Sequence, residues 1–510
     1  MPVTIVRTRD GRLDAQDAAG FEGLVGRLHG SAAPLMVHIH GGLVDEATGL
    51  AIARRLSGAG KQAYNAPPAT EQLYVVWRTG FLETVSTNWR ELHSRDKLYR
   101  ALLGKLLEFF ARRVVGDLSG RGGGGSDLDR AEIERRLSTE GDAPFAELDE
   151  PHAEGDARGA VLTMTEADLE AQLDRELTRN SQVIAAAQDI DAASAAPGER
   201  AAISGDPAAG EEILRRMDTR PEAEMRAIAA GEPIEPAVVG EGVGERGIAL
   251  TVLRGVVVHG VGIGRRVLRR LRDGRDHGVH ATIVEEIVRE LYGDYVGGAV
   301  WGMMRQDAAD HFATHGMGSA LLDAIAAGPP RRVVLVGHSA GSIMISRLLM
   351  EVASRGMDRQ VDVVLLAPAV RGRLFAEMLD NAGDRVGRFR MFALGDGRER
   401  RDALMGPGTG YLYPSSLLFL VSGLFEEDDQ DPVVDAPILG MQRFRAWAGG
   451  SLGAGEDGFA RTIAAFLAAH ADSQVYAPSS GSPDLSSDAT SHGGMDDDPD
   501  TLAGVGAMLR

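Results

Sequence analysis

The chain contains no cysteine, which excludes disulfides, thiolate catalysis and cysteine-based zinc or iron–sulfur sites. Lysine is nearly absent: the cations are arginines except at Lys61, Lys97 and Lys105. Aromatic residues make up only 5% of the chain. No apolar run approaches the ~20 residues that a membrane-spanning helix needs, so no stable membrane insertion is expected. The N-terminus, Met1-Pro2-Val3-Thr4-Ile5-Val6-Arg7, lacks the basic-then-apolar layout of a secretory signal, and the expected location is cytoplasmic. A formal charge of −20 opposes nucleic acid as a partner, because phosphate binding needs a basic surface.

What is present points to an α/β chain of 510 residues with 44% apolar content. Apolar runs at Leu35–Ile39, Leu73–Trp77, Val333–Val336, Val361–Leu366 and Arg388–Leu394 alternate with helical patterns. That alternation predicts a mostly parallel sheet covered by helices on both faces, with catalytic groups at the carboxyl ends of the strands. Four regions are expected: 1–116 as the first part of the core, 117–247 as an acidic Ala/Gly-rich insertion, 248–330 as a helical cap or core segment, and 331–510 as the rest of the core. Within the insertion, the Ser119–Ser126 run reads as a linker, while Thr165–Leu177 and Glu211–Ile228 read as short helices. A lid-like excursion is expected over 411–443, apolar around Leu417–Phe425.

The most informative stretch is Arg331 to Ile345, in which an apolar strand ends in Gly337-His338-Ser339-Ala340-Gly341 and a helical pattern follows. A G-x-S-x-G turn between strand and helix holds its serine in a strained conformation. It also presents the hydroxyl beside a helix start, where backbone N–H groups favour a developing oxyanion. Ser339 is therefore the expected nucleophile. The strand that ends in His40-Gly41-Gly42-Leu43 fits an oxyanion loop, so Gly41, Gly42, Leu43 and Ala340 are the expected oxyanion donors. A second strand is expected at Leu250–Val258, running into His259-Gly260-Val261-Gly262-Ile263-Gly264. As a dinucleotide fingerprint it fails, since Arg265 stands where the third glycine is needed. Arg265–Arg272 reads as a solvated or ion-paired basic face.

A serine nucleophile needs a base that is itself oriented by an acid. His492, in the loop after the last expected strand at Gln474–Ala477, is the candidate base, with His470 and His277 as rivals. Asp396, just past the strand ending at Leu394, is the candidate orienting acid, with Glu399 and Asp402 as alternates. The order Ser, acid, His is that of an α/β-hydrolase. The run Asp496-Asp497-Asp498-Asp500 reads as a solvated acidic stretch that keeps His492 basic. No metal and no organic cofactor is implied.

These residues, together with Val76-Trp77, Gly274-Arg275-Asp276-His277-Gly278, Leu366-Ala367-Pro368-Ala369, Tyr413-Pro414-Ser415-Ser416 and Ser491-His492-Gly493-Gly494, resemble a family of bacterial α/β-hydrolase-superfamily proteins with no settled substrate. The resemblance covers the chain from about residue 34 onward, apart from the linker-like region. It implies a Ser-His-Asp hydrolase on an α/β-hydrolase fold, with Ser339 as nucleophile and His492 as base. The chain departs from the wider superfamily in placing about 250 residues between the fourth strand and the nucleophile strand. The expected activity is hydrolysis of a small-molecule carboxylic ester through an acyl-enzyme. Thioester or lipid hydrolysis, acyl transfer, and a non-catalytic binding or scaffold role on the same fold are the alternatives. The oligomeric state is not legible.

Overall fold

A computed structural model of the protein describes residues 3–41, 45–77, 81–119, 128–149, 163–195, 246–292, 299–426, 435–444 and 457–510. Its strands are β1 (Val3–Arg9), β2 (Arg12–Leu13), β3 (Leu35–Ile39), β4 (Glu71–Trp77), β5 (Val333–His338), β6 (Val361–Leu366), β7 (Val386–Leu394) and β8 (Gln474–Ala477). They form one sheet in the order β2-β1-β4-β3-β5-β6-β7-β8. All neighbours are parallel except the short β1/β2 pair. The fold class is thus α/β, with a mostly parallel eight-stranded sheet. Strands β3, β4 and β5 are buried along their whole length, as unbroken apolar runs require when both faces are covered. Strand β1 alternates, burying one face only.

The chain divides into two compact units: 1–84, 299–404 and 415–510 in the first, 85–298 and 405–414 in the second. This division does not follow the expected boundaries at 116, 247 and 330. The first unit holds the sheet, and a core of Met36, Tyr74, Val336, Val364, Phe392, Leu502 and Met508 lies against it. Its C-terminal helix, Pro499–Leu509, begins with a proline and is capped by Asp498, whose carboxylate accepts from Thr501 N–H at 2.9 Å. The apolar stretch Leu417–Phe425 is buried in this unit, so it is core and not an exposed lid. The expected excursion is split: 411–414 belong to the second unit, and 427–434 lie outside the described residues.

The second unit is helical. Among its elements are Phe81–Arg95, Lys97–Ser119, Arg130–Leu137, Glu166–Thr178, Ser181–Ala195, Arg246–Arg272 and Val279–Leu291, the first of which starts four residues before the unit boundary. The expected strand at 250–258 is part of a 27-residue helix. The reason lies in the glycines that follow it. A Cβ on Gly260 would sit 2.7 Å from Leu177 Cδ1, and one on Gly264 2.5 Å from Leu173 Cδ2. Glycines four apart face leucines four apart, so the Gly-x-Gly-x-Gly run is a close helix–helix contact and not a strand-end turn. Leu169, Leu173 and Leu177 form the buried stripe of the capped helix that begins after Thr165. The stretch Phe81–Ser119 is two helices that meet at Asp96, whose carboxylate accepts from Tyr99 N–H at 2.8 Å. The basic patch is ion-paired: Arg266 and Arg270 both reach Glu286 at 2.9 Å, and Arg270 reaches Glu285 at 2.7 Å. Ser119, expected to open the linker-like run, ends the helix Lys97–Ser119; the rest of that run and the helix expected at Glu211–Ile228 lie outside the described residues.

The sheet is tightly packed at the β5 turn. A Cβ on Gly341 would lie 2.4 Å from the carbonyl oxygen of Ile39. Because that neighbour is backbone and cannot swing away, Gly341→Ala should destabilise the protein by about 2 kcal/mol or more in urea unfolding. Gly26→Ala, in a helix where a Cβ meets nothing within 4 Å, should be neutral or stabilising.

Candidate active site

Strand β5 delivers Ser339 into the turn with a left-handed φ of 51°, a conformation that costs a non-glycine residue about 1–3 kcal/mol. The surrounding backbone locks it. Ser339 N–H donates to Leu366 O at 2.8 Å, while Ser339 O accepts from Ser342 N–H at 3.1 Å and Ala369 N–H at 3.1 Å. It also accepts from Ser342 Oγ at 2.6 Å, and that hydroxyl accepts from Val370 N–H at 3.0 Å. Each bond is worth ~1 kcal/mol, enough together to hold the strain. Both flanking glycines are needed: a Cβ on Gly337 would come within 2.6 Å of Ile345 Cδ1 and 3.0 Å of the Gly341 carbonyl carbon. This is the strand–turn–helix geometry expected of the motif. Ser339 is fully buried, and its Oγ has no hydrogen-bond partner.

Gly41 lies directly across from the serine, where an added Cβ would be 3.0 Å from Ser339 Cβ. Behind it, His40 Nε2 accepts from Trp77 N–H at 2.8 Å, tying the end of β3 to the end of β4. Burial pushes the His40 imidazole down to about 4, so it acts as a neutral brace. Ala340 is buried at the start of helix Gly341–Ser354, where backbone N–H groups lack intrahelical acceptors. Gly42 and Leu43 lie outside the described residues.

His492 is brought to this turn. Its ring stacks on His338, the residue before the serine, with centroids 5.5 Å apart and planes 27° from parallel. Its main chain is held on both sides: His492 N–H donates to Asp402 Oδ2 at 2.6 Å, and its carbonyl lies 3.1 Å from His338 Nε2. Neither ring nitrogen has a hydrogen-bond partner, and Ser339 Oγ does not engage them in this state. Burial, with the nearby His338, holds the imidazole well below its usual range and therefore in the neutral form a base requires.

The three candidate acids separate. Asp396 is not delivered to His492: Oδ1 accepts from Arg443 N–H at 3.2 Å and Oδ2 meets Arg443 Nε at 3.3 Å. Glu399 is fully buried; burial pushes its carboxyl well above the usual range, although the Ser416 hydroxyl pulls the other way. Asp402 is the carboxylate that reaches His492, by way of the main chain. Burial raises it to about 6, and the His492 N–H opposes that rise. The rival bases are occupied elsewhere. His277, in the second unit, has Nδ1 2.8 Å from Glu285, and His470 has Nδ1 2.9 Å from Phe466 O at a helix end.

Sequence reasoning missed the role of Asp496, which is not solvated. It is buried, with Oδ1 3.1 Å from Arg55 Nη2 and Oδ2 3.6 Å from His338 Nδ1. Burial opposes a charge on His338, but the Asp496 carboxylate and the His492 carbonyl outweigh it and raise the imidazole above its usual range. Asp496 itself is lowered: burial works against its charge, and His338 and Arg55 overcome it. The acidic run gave no signal of this, because only tertiary contact separates Asp496 from its exposed neighbours. Among the described residues no cluster of His and acidic side chains is arranged to hold a metal ion, and no helix is long and apolar enough to cross a membrane.

No family model matches this chain, and neither does any curated protein or solved structure. The geometry of the turn therefore carries the functional argument unaided.

The His338–Asp496 tie has a defined pH window. A raised histidine stabilises the fold below about pH 6.5 and loses that contribution as pH rises through its folded value; a lowered aspartate contributes above about pH 4. Asp496→Asn should therefore cost about 3 kcal/mol near pH 5.5 and less near pH 8.5, measured by urea unfolding at the two values. The His338 imidazole, followed by NMR titration, should fall in pKa in the same variant.

Proposed function

We propose that the protein is a serine hydrolase with an α/β-hydrolase-type catalytic arrangement, acting on a small carboxylic ester through an acyl-enzyme. The observation that carries this reading is Ser339 itself. It holds a strained φ of 51° between two obligatory glycines, with an unpartnered hydroxyl one residue after His338, on which the neutral, unpartnered imidazole of His492 stacks. An unengaged hydroxyl and an unengaged base, both buried at the carboxyl end of a parallel strand, are costly to keep unless they react.

In the proposed reaction, His492 takes the proton from Ser339 Oγ as the oxygen attacks the ester carbonyl. The resulting oxyanion is received by N–H groups at Ala340 and in the loop that begins at Gly41. The imidazolium then protonates the leaving alcohol, and a water activated by the same base releases the acid. Asp402 takes the place expected for Asp396. It holds His492 through the main chain and supplies the negative charge that favours a transient imidazolium. The supporting facts are its bond to His492 N–H and the commitment of Asp396 to Arg443.

A fluorophosphonate probe tests this directly. Wild type should label at Ser339, and Ser339→Ala and His492→Ala should not; a folded wild type that stays unlabelled under prolonged exposure would sink the proposal. With a p-nitrophenyl ester, the acid limb of the rate profile should fall near pH 6, because Asp402 grips His492 N–H more strongly, and supplies a negative charge, only as a carboxylate. Asp402→Asn should lower kcat at least ~10²-fold and remove that limb, whereas Asp396→Asn should leave both nearly unchanged.

A further inference from the structure

Both backbone groups of His492 are held by side chains that titrate. Its N–H donates to Asp402 Oδ2 at 2.6 Å, and its carbonyl oxygen lies 3.1 Å from His338 Nε2. The two grips have opposite proton requirements. Asp402 holds most strongly as a carboxylate, whereas a carbonyl oxygen can only accept, so Nε2 of His338 must carry a hydrogen.

The other ring nitrogen of His338 faces a carboxylate, with Nδ1 3.6 Å from Asp496 Oδ2. In the imidazolium form both nitrogens carry hydrogen, one toward each neighbour. The neutral ring has a single N–H, and the carboxylate attracts it more strongly than a carbonyl does. Deprotonation therefore leaves the hydrogen on Nδ1 and turns a bare Nε2 lone pair against the His492 carbonyl oxygen. An attractive contact becomes a repulsion between two acceptors. Both residues are buried, so water cannot replace the lost donor unless the contact opens.

Among the described residues, the other ionisable groups facing His338 hold one state through the neutral and alkaline range. From the segment that carries His492, the carboxylates of Asp496 and Asp497 pair with Arg55 of helix Glu46–Leu56 at 3.1 and 2.9 Å. From β3, burial lowers His38 to about 3 and His40 to about 4, so both are neutral. His38 Nδ1 lies 3.0 Å from the Tyr64 hydroxyl and its ring 5.4 Å from that of Tyr74; burial raises both phenols above their ordinary value. The His492 ring, stacked on His338, is neutral as well. His338 is the group that changes charge here as pH rises.

Building on the hydrolase reading, we propose that His338 is a positioning residue whose two ring protons hold the backbone of His492 beside the Ser339 turn, so that loss of one proton closes the site at alkaline pH. Asp402 grips the N–H and fails in acid; His338 grips the carbonyl and fails in alkali. The rate profile is then bell-shaped, with neither limb reporting the ring of the base.

Hydrolysis of a p-nitrophenyl ester, corrected for the spontaneous rate, tests this beside NMR titrations of the His338 ring and of the His492 carbonyl carbon. The alkaline limb of kcat and the carbonyl shift should share the His338 midpoint, with KM little changed. Asp496→Asn should move all three to lower pH together. His338→Gln supplies an amide N–H that does not titrate; it should lower kcat by less than about tenfold and abolish the alkaline limb, whereas His338→Leu should lower kcat about 10²-fold at every pH. If Asp496→Asn proves too unstable to assay, His338→Gln decides by itself. An alkaline limb that persists in His338→Gln, or a carbonyl that ignores the His338 titration, would overturn the proposal. A folded protein inactive at every pH, whose carbonyl still follows His338, would instead remove the hydrolase reading and leave the grip standing.

Discussion

Ser339 can be what it is only because the carbonyl oxygen of the same residue is saturated. Three donors converge on it from Ser342 and Ala369, while its N–H reaches across to Leu366 at the end of the neighbouring strand. A left-handed serine would otherwise relax, since the strain of about 1–3 kcal/mol has no local compensation in the side chain. The parallel register makes the lock available: pairing of His338 with Leu366 and of Gly337 with Ile39 sets the ends of three strands side by side. The same register presses Gly41 against the serine and Gly341 against Ile39 O, so glycine is required at both places for lack of room.

Around that turn, charge is assigned by burial and partner together. His338, His40 and His492 all lie within the buried end of the sheet, yet their states differ. His40 takes a backbone N–H and is neutral; His492 has no partner and is neutral; His338, between Asp496 and a carbonyl, is driven toward the charged form. Desolvation lowers all three, and only a carboxylate reverses it. The acids divide in the same way. Asp496 keeps its charge beside Arg55 and His338, Glu399 in an enclosed pocket is pushed toward neutrality, and Asp402 is held near the middle of the physiological range. His492 is thereby held through its backbone by one acid and one histidine, with its ring nitrogens left unpartnered.

The helical unit follows a different logic. Its buried charges form closed sets, such as Arg270 with Glu285 and Glu286, with the Tyr413 hydroxyl donating to Glu285 at 2.5 Å. The carboxylates of Glu285 and Glu286 are tolerable there because each is matched by a guanidinium and further hydrogen bonds. Its glycines allow helices to approach where leucines fill the space, at Gly260 and Gly264, whereas Gly104 faces empty volume.

The sequence by itself determined the local conformations that short-range chemistry dictates. The apolar strand runs, the glycine-flanked turn at Ser339 and the capped helix after Thr165 all follow from spacing and residue type. It also placed His492 among the candidates, because chain order limits which loops can reach the Ser339 turn. Only the tertiary structure decided the rest. The run 250–258 carries strand-like valines, but it is continuous with a helix that packs through Gly260 and Gly264 on Leu177 and Leu173, as long-range packing overrides propensity. Asp396, Glu399 and Asp402 are equivalent in the sequence, three acids within seven positions; they are told apart by Arg443, by burial and by His492 N–H, none of which is near them in the chain. Spacing along a chain constrains geometry over a turn or two, whereas the protonation and partner of a side chain are set by whatever the fold brings against it.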